Sequence, residues 1–221
     1  SDIYEEYEQI EELARILKKD KNKRITVVAG DLGLFHKQRE ANYNKNLKKI
    51  FKLLTSISKM VYFVPGETDN KNVKIPMGNL LNIDQDYAYI EIDEIKIGLL
   101  GLGGAPDKSI KSKKDTPYYW NEKINYDDLF STLKMQYQKL LLEKPDYIIL
   151  LTHSPPHGIA DYSKEIGIDE KEVTEEVFEE DKIEKSEKKK KSRNPKKLGS
   201  KILKDFIDKY NVNIHIFGHI H

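Results

Sequence analysis

Apolar residues recur along this chain with two periods, and the period switches from segment to segment. Between residues 4 and 17 they fall at Tyr7, Ile10, Leu13, Ala14 and Leu17, one face of a helix whose acidic residues lie near its start, where the helix dipole favours them. Residues 46–60 ("NLKKIFKLLTSISKM"), 127–143 and 199–210 repeat the helical spacing. Between them lie short apolar runs rich in β-branched and aromatic residues: "RITVVA" at 24–29, "VYFVPG" at 61–66 and "DYIILLTHSPP" from Asp146. These read as buried strands. "YAYIEID" and "IKIGLLGLGG" flank Asp93 and Glu94 and read as a hairpin. Helices alternating with strands predict an α/β layered domain, and the hairpin argues against a purely parallel sheet.

The last eight residues, "IHIFGHIH", alternate strictly, with His215, Phe217, His219 and His221 on one parity. In a strand, residues two apart point to the same face, so His219 and His221 aim two imidazoles at one spot. Neutral imidazole is the commonest protein ligand for divalent ions, and this spacing is a metal-ligand geometry, with a polar strand face as the equal alternative on this motif alone.

Composition changes this picture in one place. Residues 161–197 lose their apolar positions: 161–187 are mainly acidic, and 188–197 ("KKKKSRNPKK") almost wholly basic. Such a stretch buries too little apolar surface to offset its ordering entropy and is expected to be a charged flexible insert at the surface. Over the whole chain 38 Lys and Arg balance 37 Asp and Glu, which gives no case for nucleic acid or an anionic membrane as partner. The 221 residues suffice for a single domain with a real core. With no cysteine, disulfides and thiolate metal sites are excluded, and a cytoplasmic location is expected. No apolar run reaches the roughly 18 residues of a membrane span, and no signal peptide is visible within the chain, which starts at Ser1 without a Met and so leaves room for a lost leader.

The apolar strands end repeatedly in candidate metal ligands. "VVAGD" ends in Asp31, "YFVPGETD" carries Glu67 and Asp69, "IILLTH" ends in His153 and "IFGH" in His219, while "SDIY" puts Asp2 just before a helix. Beyond the carboxyl ends of strands lies the crevice where α/β sheets bind ligands. One such residue is usually a cap or turn former, but five such junctions delivering Asp, Asp, Glu, His and His call for a common purpose.

In order and spacing these blocks resemble the motifs of the calcineurin-like metallophosphoesterases: D-x-H, G-D, G-N-H-D/E, a lone His and G-H-x-H. Here they read Asp2-Ile3-Tyr4, Gly30-Asp31, Gly66-Glu67-Thr68-Asp69, His153 and Gly218-His219-Ile220-His221. The resemblance implies a four-layer α-β-β-α sandwich, two facing mixed β-sheets flanked by helices, as a single domain over 1–221 clipped at both ends. It implies two divalent ions, Mn²⁺ first with Fe or Zn²⁺ as alternatives, bridged by Asp31. The first ion would take Asp2, Asp31, His221 and whatever stands at position 4; the second would take Asp31, Glu67, His153 and His219. It further implies phosphoester hydrolysis by a metal-activated hydroxide, with Asp31, Thr68 and Asp69 at catalytic positions.

Three residues depart from the pattern. Tyr4 stands where the family has a metal-binding His, Glu67 replaces Asn, and Thr68 replaces the His credited with protonating the leaving group. Losing a general acid costs about 10²–10⁴ in rate, so a phosphodiester or an activated leaving group is the expected substrate. The alternative is a catalytically weak or inactive scaffold for a protein partner, as in relatives that lack the motif His. Among remaining residues, His36, His157 and His215 read as loop or structural histidines. "PYYWNE" at 117–122 reads as loop packing, with a cleft wall as the other reading.

Overall fold

A computed structural model describes residues 1–4, 7–17, 20–35, 39–107, 118–163 and 196–220. Its first sheet joins β1 (Ile25–Ala29), β2 (Met60–Val64) and β3 (Leu80–Asn82), all parallel, with Ile25 opposite Met60 and Val61 opposite Leu80. The second holds β4 (Tyr87–Ile92) and β5 (Ile95–Leu102), followed by β8 (Tyr147–Thr152) and β11 (Ile214–Ile216), in the order β11-β8-β5-β4. Its mixed character comes from the β4–β5 hairpin, antiparallel with Ile92 opposite Ile95. Asp93 and Glu94 turn that hairpin with φ of 47° and 70°, the double positive φ that matches the right-handed twist of the strands. Two short ladders complete the strands: β6 (Ala105–Pro106) with β7 (Tyr119–Trp120), and β9 (Tyr162–Ser163) with β10 (Lys196–Lys197).

Strand alternation distributes the apolar side chains into three cores. On the outer face of the first sheet, Val28, Val61 and Phe63 meet Ile10 of α1 (Tyr7–Ile16) and Tyr43, Leu47, Ile50, Phe51 and Leu54 of α2 (Glu40–Ile57). On the outer face of the second, Leu100, Leu102, Ile148 and Leu150 meet Leu133 and Leu140 of α3 (Glu122–Leu142) and Phe206 of α4 (Lys201–Lys209). Their neighbours in sequence, Ala29, Tyr62, Val64, Leu99 and Leu151, point the other way and fill the space between the sheets. Each fully buried side chain of this size contributes about 1.5–3 kcal/mol. The result is the expected α-β-β-α sandwich.

Element boundaries differ from the sequence reading where periodicity is weak. Residues 1–4 precede α1 rather than belonging to it, α2 begins at Glu40, and α3 begins at Glu122 on an Asn121 cap. At the two ends of the charged stretch 161–197, Asp161 is buried, and β9 and β10 pair antiparallel, with Ser163 opposite Lys196. The interior of that stretch lies outside the described residues. Among the described residues no helix is long and apolar enough to cross a membrane.

Candidate metal centre

The shared direction of β1 with β2, and of β8 with β11, brings their carboxyl ends to one rim. There the two sheets touch: the His153 ring, just past β8, is hydrogen-bonded through Nδ1 to the carbonyl of Ala29 at the end of β1 (2.7 Å). A carbonyl only accepts, so Nδ1 carries the proton and Nε2 faces the rim. Gly30 permits the approach. It adopts φ of +81°, and a Cβ there would stand 2.6 Å from both Gly66 N and His153 Nδ1. Gly66 does the same for the neighbouring loop, since a Cβ on it would lie 2.0 Å from Asp31 Oδ1.

Around this rim the chain assembles Asp2, Asp31, Glu67, His153 and His219. Glu67, His153 and His219 offer ligand atoms within 4.8 Å of one another, and so do Asp2, Asp31 and His153. Asp31 and His153 are fully buried, with His153 Nε2 3.7 Å from Asp31 Oδ1. Glu67 Oε1 is 3.0 Å from His219 Nδ1, and Glu67 Oε2 stands against His153 Nε2. His221 and His36 lie outside the described residues.

The donor set fits a divalent cation. Glu67 Oε2 and His153 Nε2 are buried and lack a partner in hydrogen-bond geometry among the described residues. With its proton on Nδ1, His153 turns a lone pair toward a carboxylate oxygen, an arrangement that needs a positive charge between the two atoms. Without a metal that charge is a proton. Burial works against it, but contact with Glu67 and then Asp31 outweighs burial and pushes the His153 pKa up to about 9. Burial likewise opposes ionisation of Glu67, yet its close contacts with His153 and His219 hold its carboxyl well below the usual range. Mixed carboxylate and imidazole donors suit Mn²⁺, Fe or Zn²⁺.

Asp69 and Thr68 are placed differently from these candidate ligands. Asp69 is fully buried and accepts four hydrogen bonds, from the N–H groups of Leu32 (3.1 Å), Gly33 (3.0 Å) and Gly66 (2.9 Å) and from the Tyr43 hydroxyl (3.0 Å). It ties the loop after β1 to the loop after β2. Burial raises its pKa to about 6 against the pull of the Gly66 and Leu32 N–H groups. Thr68 donates its N–H to Asp31 Oδ1 (3.1 Å) and its hydroxyl to the Gly33 carbonyl (2.7 Å), so both groups are committed within the loops.

Tyr43 escaped the sequence reading, whereas Tyr119 belongs to the run "PYYWNE", read there as loop packing or a cleft wall. Tyr43 sits in a polar run, "EANYNKN", with no periodic signal. Tyr118 and Trp120 pack into the core around α3, as a packing loop would, and the Tyr118 N–H donates to the Glu67 carbonyl (3.1 Å). Tyr119 lies between them in sequence on the opposite face of β7. Burial, then the charges of Glu67, Asp31 and Asp107, push its phenol up to about 12.

His215 is structural. Thr152 donates its hydroxyl to the Ser154 carbonyl (2.6 Å), so the 2.7 Å contact between Thr152 Oγ1 and His215 Nε2 has the imidazole as donor. Burial pushes the His215 pKa from 6.5 down to about 4. Between those values the unfolded chain binds a proton that the folded one does not, so this residue's contribution is complete above pH 6.5 and falls as the pH drops toward 4. His215→Gln is expected to flatten that loss, by about 1–3 kcal/mol across the window relative to wild type. Urea midpoints of both proteins at several pH values check it; parallel curves would assign the acid sensitivity elsewhere.

Across residues 1–221 the sequence matches the family of calcineurin-like phosphoesterases. No curated protein matches the chain. Among solved structures, that of TT1561 from Thermus thermophilus is similar, at 12% sequence identity over 75% of this chain and 68% of that one, with a TM-score of 0.47.

Proposed function

Because the chain belongs to the calcineurin-like phosphoesterase family, we propose that it hydrolyses a phosphodiester at this rim with divalent metal, Mn²⁺ first among the candidates. The observation that carries the reading is the convergence of Glu67, His153 and His219 within 4.8 Å, next to a fully buried Asp31. Divalent metal bound there supplies Lewis-acid polarisation of a phosphoryl oxygen and a nucleophile from water near neutral pH. The chain's residues do the rest. Ala29 fixes the His153 tautomer through its carbonyl, and Asp69 holds the two ligand loops together. A reducing cytoplasm suits a chain without cysteine.

The Thr68 hydroxyl donates to Gly33, so no proton donor stands at the position where the family motif has His. That supports diesters with good leaving groups over alkyl monoesters. The same observation favours the second reading, a weak or inactive enzyme whose fold presents a surface to a protein partner. The test is hydrolysis of bis(4-nitrophenyl) phosphate and 4-nitrophenyl phosphate with Mn²⁺, with chelator, and with Mn²⁺ restored. Turnover of the diester that follows the metal is expected. Absence of turnover from protein shown to hold metal would leave the scaffold reading standing.

A further inference from the structure

We propose that the centre is asymmetric, with one divalent ion held by Glu67, His153 and His219 and with the phenol of Tyr4 standing on Asp31 where a second ion would sit. The inference rests on the metal reading above. Its basis is the contrast between the two halves of the site.

Tyr4 grips Asp31 at two points. Its N–H donates to the Asp31 carbonyl (3.1 Å) and its hydroxyl to Asp31 Oδ2 (2.8 Å). The backbone is set for this: Asp2, Tyr4 and Asp31 adopt φ of 56°, 44° and 51°, a left-handed conformation that costs a non-glycine residue energy and persists where the surroundings enforce it. Tyrosine carries its oxygen farther from the backbone than histidine carries its ring nitrogens. An imidazole at position 4 would leave room for an ion between itself and Asp31; the phenol spans that room and closes on the carboxylate. A neutral phenol that donates its hydrogen to Asp31 also turns that hydrogen toward the oxygen a cation would need.

The other carboxylate of this half is engaged as well, since both Asp2 oxygens lie 3.3 Å from the His219 N–H. Across the site Glu67 Oε1 meets His219 Nδ1 at 3.0 Å, but the other two ligand atoms differ. Glu67 Oε2 and His153 Nε2 are buried there without hydrogen-bond geometry, and Asp31 Oδ1 faces them from 3.7 Å of Nε2. Among the described residues, that is the half in which buried ligand atoms lack a hydrogen-bond partner.

Wild-type protein and Tyr4→His are loaded with Mn²⁺, desalted and assayed for metal per chain by elemental analysis, with circular dichroism as the folding check. One ion is expected in the wild type and two in Tyr4→His. Two ions in the wild type, or one in a folded Tyr4→His, overturns the inference and leaves the metal reading intact. No ion in either chain overturns the metal reading itself. If Tyr4→His fails to fold, wild-type protein loaded with Fe³⁺ decides: no visible phenolate-to-iron band is expected, and its appearance would make Tyr4 a ligand and sink the proposal.

Discussion

Asp31→Asn is expected to fold and yet to lose bound Mn²⁺ on desalting, with an affinity fall of more than about 100-fold, the upper range for changing a group that merely supports a ligand. The near-isosteric amide separates charge from shape. Its carbonyl oxygen still accepts the Thr68 N–H, and its NH₂ faces the Tyr4 oxygen, which accepts in place of donating. What disappears is the negative charge, fully buried beside His153 and lying within 4.8 Å of both a second carboxylate and an imidazole. Hydrolysis falls with the metal. Titration calorimetry with Mn²⁺, alongside urea unfolding in chelator, measures the two effects separately. Unchanged affinity in a folded variant would remove Asp31 from the ligand set.

Asp69→Ala is expected to act through stability, lowering it by about 3–5 kcal/mol. The carboxylate is the acceptor for three backbone N–H groups and the Tyr43 hydroxyl, all converging on a fully buried position. Each buried donor left unmatched costs about 1–3 kcal/mol, with part of the sum recovered by water entering the space. Tyr43→Phe removes one of the four bonds and is expected to cost about 1 kcal/mol. Urea denaturation of the three proteins orders them. Equal stability of Asp69→Ala and wild type would deny the residue its role as the tie between the loops.

These two residues also mark what a sequence can disclose. Asp31 was legible because a strand end is a place with a direction: parallel strands deliver their last residues to one rim, so Gly30-Asp31, Glu67, His153 and His219 share a destination however far apart they stand in the chain. The continuous apolar run 61–64 marks a strand buried on both faces without saying which face each residue takes; Val61 and Phe63 turn toward the helices and Tyr62 and Val64 toward the second sheet. Asp69 carried no comparable sign of its task, because its hydroxyl partner Tyr43 lies 26 residues back in a polar run and its N–H partners are backbone groups that any residue supplies. Tyr4 could be seen to break the motif, but its 2.8 Å contact with Asp31 depends on a left-handed turn that no periodicity encodes. Strand β3, three residues long, is too short for alternation to register.

The β9–β10 ladder has a bearing on how the chain can vary. By pairing Ser163 with Lys196 it returns the backbone, after a long excursion, to the point of departure. Whatever lies between is closed at its base, and the route from His153 to α4 and on to His219 is the same for a short excursion as for a long one. Doubling the length of a flexible loop costs only about 0.6 kcal/mol in closure entropy. The chain therefore has a place where residues accumulate or vanish with little effect on the geometry of the rim.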